Sequence, residues 1–457
     1  MWPLKLDLYF HPGRECARLS LNMKDTPSLS LKDKGRIYLD HNATTPLLSS
    51  IVEQLPDWAS RWGNPSSIHW SGRGPKNLIR EARKRLADLI GCHPLELVFT
   101  SGGSESNNAV IKGVFAQSDS TGRNEYITST VEHPSVAECF KWIRDRGGIV
   151  HEIPVARDGR IDLEFYNRVL SERTALVSVM AANNETGTLF PVTEMAQKAH
   201  AVGARFHTDA VQTLGKIPVN VSEWGVDFAT FASHKMYALK GVGLIFAKKG
   251  ERLTGLVLGG GQERGRRAGT ENVLAITAFG WAAHEHKNSI SDHANRMQGL
   301  RDRFEQDLLS RVPGISVTGY VNNPSTAAKR LPKTTVVRLP KTTVVRLPNT
   351  SSLVIEGVDG ESLLMNLDLE GISVSTGAAC SSGNPEPSPV LVAMGLSRRE
   401  AQGSLRVSLG WGTTDDEIAK FTETLEKVIA RLRLISGWAP SPSRSQLAQK
   451  DTEVRNV

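Results

Sequence analysis

Lys235 stands in the stretch Val226 to Gly243, VDFATFASHKMYALKGVG. An apolar, β-branched and aromatic segment precedes it, and a second apolar run, Leu244-Ile245-Phe246-Ala247, follows. That pattern predicts strand, tight polar turn, strand, and sets the lysine at a strand end rather than on a solvated helix face. Beside His234, and near glycines that let another group approach, such a lysine has the chemistry of a Schiff base with a carbonyl compound. A second kind of chemistry lies in Ser101-Gly102-Gly103-Ser104-Glu105-Ser106-Asn107-Asn108, which follows a predicted strand at 97–100 and precedes a helix predicted from about Ala109. Free backbone N–H groups, hydroxyls and the positive end of a helix dipole make this a phosphate site. It is not a Walker motif, having no Gly-Lys-Ser/Thr, and it lacks GxGxxG spacing.

The elements that must position these residues alternate strand and helix. Tyr126-Ile127-Thr128 leads to Glu132-His133-Pro134-Ser135, Thr174 to Met180 leads to Asn183-Asn184, and Arg205 to Asp209 leads to Ala210-Val211-Gln212. In an open parallel sheet those strand ends share one edge, where ligands bind. Ser104, His133, Asn184, Asp209, Gln212 and Lys235 therefore converge. Together they match pyridoxal 5′-phosphate. Asp209 would hold the ring nitrogen protonated by direct pairing. His133 supplies a flat partner over the ring, and Gln212, with Asn184 nearby, supplies hydrogen bonds to the phenolic oxygen.

A chain of 457 residues, 39% hydrophobic and 23% charged, is long enough for a large core and two domains. No apolar run reaches the ~18 residues that span a membrane. Cys16, Cys92, Cys139 and Cys380 are far apart with no CxxC, which argues against a disulfide framework or a metal site within the chain and for a reducing, cytoplasmic compartment. The net charge of +7 is concentrated in Lys329 to Pro348, and aromatics are only 6%, so direct nucleic-acid binding is not expected. Residues 1–35 read as a mobile extension and 439–457, rich in Ser, Pro and Gln, as a disordered tail. Pro46, with Thr44 and Thr45 as caps, should start a helix. Others are expected from Gly74 to Ile90 and from Asn295 to Leu309, and His284-Glu285-His286 reads as a solvated helix face. RLPKTTVV occurs at Arg330–Val337 and again at Arg338–Val345. We read it as a tandem duplication in a surface loop, so deleting one copy should leave activity intact.

The sequence resembles the cysteine desulfurases of the NifS/IscS type, within the class V aminotransferases. The resemblance spans about Arg36 to Leu434 and is carried, in order, by DHNATTPL, GNPSSIH, FTSGGSESNN, EHPSV, NNETG, HTDAVQ, SHK, RAGTENV, STGAACSSG and LRVSLG. It implies a fold type I transferase dependent on pyridoxal 5′-phosphate. A large domain (53–291) would hold a mostly parallel seven-stranded sheet, and a smaller α+β domain (36–52 and 292–438) would carry the Cys380 loop.

By the same resemblance Lys235 is the Schiff-base lysine, His133 the ring-stacking residue, Asp209 the pyridinium partner and Gln212 the phenolate partner. Gly103, Ser104 and His234 fall at the phosphate. Thr270 would complete that site from the neighbouring subunit of a homodimer. Where the family commonly has serine, three positions before the lysine, this chain has Ala232; Ser233 stands one position on and is taken with the cofactor-binding residues. Asn42, Asn184 and Arg406 hold the amino-acid substrate, Arg406 through a bidentate pair with its carboxylate. Cys380 would attack the substrate sulfur, leaving alanine and a persulfide that passes to an acceptor such as an iron–sulfur scaffold or tRNA-thiolation protein. Cys380 is also a possible ligand of a bound or transferred iron–sulfur cluster. Two other readings share the scaffold: a selenocysteine lyase, and a non-catalytic scaffold or sulfur-carrier partner.

Overall fold

Seven short runs of β-branched, aromatic and small residues build the main sheet: β2 (Leu97–Thr100), β3 (Glu125–Ser129), β4 (Ile149–Ile153), β5 (Thr174–Ser178), β6 (Arg205–Asp209), β7 (Phe228–Ala232) and β8 (Gly243–Ala247), with β1 (Ile37–Tyr38) outside it. The order is β2-β8-β7-β6-β5-β3-β4. All neighbours are parallel except β8, which runs antiparallel to β2 and β7. Helices cover such sheets on both faces, so the central strands read as unbroken apolar runs; every residue of β7 and β8 is buried. The edge strand β4 instead carries His151 and Glu152, polar residues of the kind that blunt an edge.

The computed structural model describes residues 35–117, 122–319, 346–377 and 386–438. The chain divides into two units, Met1–Arg36 and Ile37–Val457. Of the first, only Gly35 and Arg36 are described. The expected N-terminal extension, the tandem octapeptide, Cys380 and the C-terminal tail lie outside the described residues.

The turn after β2 depends on a missing side chain. Thr100 is paired with Gly243, and a Cβ at Gly243 would come within 2.4 Å of the Gly102 carbonyl. Only glycine lets β8 pass beside the Gly/Ser turn. The helix that follows is Gly103–Phe115, six residues longer at its start than the sequence suggests. Glu105 explains the early start: its carboxylate accepts from the Ser101 N–H at 2.8 Å and places negative charge in the first turn. The next expected boundary is also displaced. The helix after Pro46 is Ser49–Ser60, with no side-chain cap at Leu48. The Thr45 hydroxyl donates instead to the His234 carbonyl at 3.0 Å and accepts from the Tyr237 N–H at 2.7 Å. The threonines expected to cap a helix hold the Lys235 turn.

A second set of strands follows the long helix Ile290–Arg311: β9 (Ile315–Val317), β10 (Thr350–Ile355), β11 (Ile372–Ser373) and β12 (Ser404–Ser408). They form an antiparallel sheet, β12-β10-β9, and a two-stranded parallel pair, β1-β11. Met297, Leu300 and Phe304 pack there with Phe421 and Leu425 of the helix Asp415–Ser436. Leu391, Met394 and Ala401 belong instead to the core of the main sheet, with Phe99, Phe206 and Phe231. No described helix is long and apolar enough to cross a membrane. His286, at the end of the helix Val273–His286, corrects the expected solvated face: it is fully buried against Tyr237 and Trp411, and burial pushes its imidazole down to about 2.

Candidate active site

Lys235 ends a short 3-10 turn, Ser233–Lys235, directly after β7. Its Nζ donates to the carbonyls of Asn42 and Ala43, both at 2.6 Å. Burial, with the nearby Arg406 guanidinium, lowers its pKa to about 8, so roughly a tenth is already the uncharged amine at pH 7, far more than for a solvated lysine. The chain turns sharply just beyond. Tyr237 takes φ 57, which for a bulky residue costs on the order of 1–3 kcal/mol. It is held there by Thr45 and by the Trp411 N–H, which donates to its hydroxyl at 2.8 Å.

The strand ends do converge. Asn42, Gly103, Ser104, His133, Asn184, Asp209, Gln212, His234, Lys235 and Arg406 line one cavity of about 320 Å³. Asp209 closes β6 and is nearly buried; its carboxylate accepts from Asn107 Nδ2 at 2.8 Å and the Val211 N–H at 3.0 Å. The second hydrogen of Asn107 Nδ2 goes to Ser135 Oγ at 2.9 Å, which in turn meets His133 Nδ1 at 2.8 Å. Thr230 Oγ1 donates to Asn107 Oδ1 at 2.5 Å. One asparagine thus fixes both the carboxylate and, through a serine, the imidazole. Water reaches the His133 ring from the cavity, yet its surroundings hold its pKa below the usual range, chiefly by desolvation, with Asp209 opposing and Lys235 reinforcing. Burial and the lysines around it push His234 down to about 4.

Across the cavity, Arg406 on β12 pairs with Asp40 at 2.9 Å and donates to the Asn184 carbonyl at 3.4 Å. Its Nε is buried and makes no hydrogen bond among the described residues. Asn42 Nδ2 donates to the Asn184 carbonyl and to Thr350 Oγ1.

Two expected residues are not brought into this cavity. Ser233 is fully buried, and its hydroxyl turns away to the Leu239 and Val242 carbonyls, bracing the loop before β8. Thr270 lines a second cavity of about 220 Å³ with Ser101, Arg267 and Asn272. Arg267 of the same motif pairs with Glu105 at 2.9 Å. Four residues went unassigned in the sequence: Asn107, Ser135, Lys216 and Asp40. Asn107 and Ser135 were legible as members of the motifs FTSGGSESNN and EHPSV. Asp40 likewise opens DHNATTPL, whereas nothing in the sequence marked Lys216.

Besides Asp209 and Asp40, the site offers a lysine, an arginine, a helix start at Gly103 and two imidazoles whose surroundings favour the neutral form. A fixed carboxylate at one side and a helix N-terminus at another suit a ligand with a basic ring nitrogen and a phosphate. The family model for class-V aminotransferases matches residues 37–329 and 322–421. The chain belongs to the class-V aminotransferase family. It is 41% identical over 403 residues to a cysteine desulfurase of Gluconacetobacter diazotrophicus, covering 88% of this chain and 95% of that one. It is also 41% identical over 404 residues to the cysteine desulfurase IscS of Dictyoglomus turgidum, 88% and 97% covered. A solved NifS-like protein superposes with a TM-score of 0.77 at 33% identity, over 87% of this chain and all of the other. The two matched stretches overlap just before the tandem octapeptide. The cofactor of this family is pyridoxal 5′-phosphate, and the residues of the cavity fit it.

Proposed function

We propose that this chain binds pyridoxal 5′-phosphate in the Lys235 cavity and converts L-cysteine to L-alanine, with the sulfur left as a persulfide on Cys380. It is a cysteine desulfurase. The observation that carries this reading is a partly neutral Lys235 amine, a fixed Asp209 carboxylate and an incompletely paired Arg406 guanidinium facing one cavity, in a chain of this family. The cofactor supplies an electron sink for the substrate α-carbon.

The protein's part is binding and orientation. Asp209 would hold the ring-nitrogen proton, and His133 would cover the ring. Gln212 would donate to the phenolic oxygen, while Gly103, Ser104 and His234 would take the phosphate. Arg406, with Asn42 and Asn184, would clamp the substrate carboxylate. Lys235 would attach the cofactor and carry protons at the α-carbon. Sulfur transfer to Cys380 balances as one thiol sulfur moved from substrate carbon to the cysteine sulfur, leaving alanine. The described thiols are poor candidates for that step: burial raises Cys139 to about 11 and Cys92 to about 12, away from the reactive thiolate.

The active species would be a homodimer in which Thr270 reaches the partner's phosphate site. Trp62 and Ile68, 82% and 93% exposed, support an apolar contact of that kind. The persulfide would pass to an iron–sulfur scaffold or tRNA-thiolation protein in the cytoplasm. We read 53–291 as the cofactor-binding part and 36–52 with 292–438 as the part bearing the Cys380 segment. Alanine and sulfide release from L-cysteine by the purified protein, with Cys380→Ala as control, tests the reading. Turnover of L-selenocysteine with L-cysteine inert would overturn it.

A further inference from the structure

Lys216 lies just behind the cavity wall and is buried, 5% exposed. Its Nζ donates to Asn42 Oδ1 at 2.7 Å and to Gln212 Oε1 at 2.5 Å. No carboxylate pairs with it among the described residues, and the charged groups beside it, Lys235 and Arg406, are both cationic. Two acceptors for two N–H groups is the complement of a neutral amine. Burial, Lys235 and Arg406 all push its pKa well below the usual lysine range, in agreement with that geometry.

What the amine does follows from amide chemistry. A primary amide has one acceptor end and one donor end, and which end faces which way is set by its partners. With Lys216 on Oε1, Gln212 must turn its NH₂ outward; it now donates to the Asn42 carbonyl at 3.1 Å, the same oxygen that Lys235 Nζ meets at 2.6 Å. With Lys216 on Oδ1, Asn42 must aim its own NH₂ at the Asn184 carbonyl and Thr350. Asn349 Nδ2 reinforces this choice at 3.2 Å. A lysine is needed because a single flexible chain reaches two oxygens on separate segments without adding an acceptor that would reverse either amide.

We propose that Lys216 is a positioning residue that fixes the amide orientations of Gln212 and Asn42, so that Gln212 presents a donor to the cofactor's phenolic oxygen. This inference rests on the assignment of Gln212 to that oxygen. Four variants of the full-length protein test it, read by cofactor affinity and by the pH midpoint of the bound cofactor's visible absorption. Lys216→Met frees the Gln212 amide. Affinity should weaken about tenfold, the cost of one misplaced hydrogen bond. The pH midpoint should rise, since an oxygen that loses a donor becomes more basic. Lys216→Arg keeps N–H donors on a long flexible chain, adds no acceptor, and should restore most of both. It also serves if the methionine variant does not fold, because an orientation role then requires wild-type-like affinity from it. In a Gln212→Ala background, Lys216→Met should add no further shift in midpoint. A folded Lys216→Met protein with unchanged affinity and midpoint, or a Lys216→Arg protein as poor as Lys216→Met, would overturn the proposal. No effect of Gln212→Ala alone would instead remove the assignment on which it rests.

Discussion

Along the edge of the main sheet, the carboxylate and amides of the cavity already have partners. Asp209 has Asn107 and the Val211 N–H, Asn107 has Thr230 and Ser135, and Gln212 has Lys216 and Asn42. On the facing wall, Arg406 has Asp40 and a long contact to Asn184, and its Nε has no partner. Neighbouring Glu185 is buried, and burial raises its carboxyl to about 7 despite a hydrogen bond from Ser388 and the nearby Arg406. One wall is assembled before any ligand arrives; the other carries a buried, incompletely paired Arg406 guanidinium that an anionic ligand would satisfy. A cavity that keeps its cofactor through many turnovers, yet admits and releases an amino acid each time, needs that asymmetry.

The comparison breaks first at Lys235. Lys235→Ala should lower alanine formation by roughly three orders of magnitude or more and abolish the visible band of bound cofactor. A folded variant retaining a tenth of the activity would remove the lysine from the chemistry. On the facing wall, Glu185 holds its proton in the folded state between about pH 4.5 and 7, where the unfolded chain does not. The folded protein binds more protons there, so stability falls as pH rises through that window. Glu185→Gln should flatten the fall and gain up to about 3 kcal/mol above pH 7 in urea unfolding of the two proteins in parallel.

Arg406→Lys keeps charge but loses the planar fork. The KM for L-cysteine should rise roughly 30-fold, with cofactor absorbance unchanged. A change confined to kcat would contradict a carboxylate clamp. The smallest effect belongs to the assembled wall: Asn107→Ala should weaken cofactor binding about tenfold by leaving Asp209 short of a donor, without altering substrate KM. Equilibrium dialysis against pyridoxal 5′-phosphate measures it.

Much of this was legible in the sequence, and for a physical reason. Strands that end in polar residues must bring those residues to one edge of a parallel sheet, so Ser104, His133, Asp209, Gln212 and Lys235 could be gathered from positions far apart. The open parallel sheet followed from the same alternation; its seven strands were what the family resemblance implied. What escaped were residues whose significance lies in a partner. Thr44 and Thr45 carry the chemistry of a helix cap, but they serve the Lys235 turn because it lies within their reach. Ser233 lies two positions before the lysine, yet its hydroxyl faces the Leu239 and Val242 carbonyls, because the chain leaves the strand there for a 3-10 turn. Lys216 looks like any surface lysine, and only tertiary packing buries it.

Arg406 also has a main-chain bond whose effect reaches beyond the cavity. Its N–H and carbonyl both pair with Ser375, at 2.6 and 3.2 Å, and Ser375 stands five positions before Cys380 in the chain. The side chain that would sense the substrate is therefore moored, through its own backbone, to the segment from which the sulfur acceptor departs. Any shift of Arg406 on meeting a carboxylate would be passed along that backbone pair, and the hydrogen exchange of the Ser375 amide would report it.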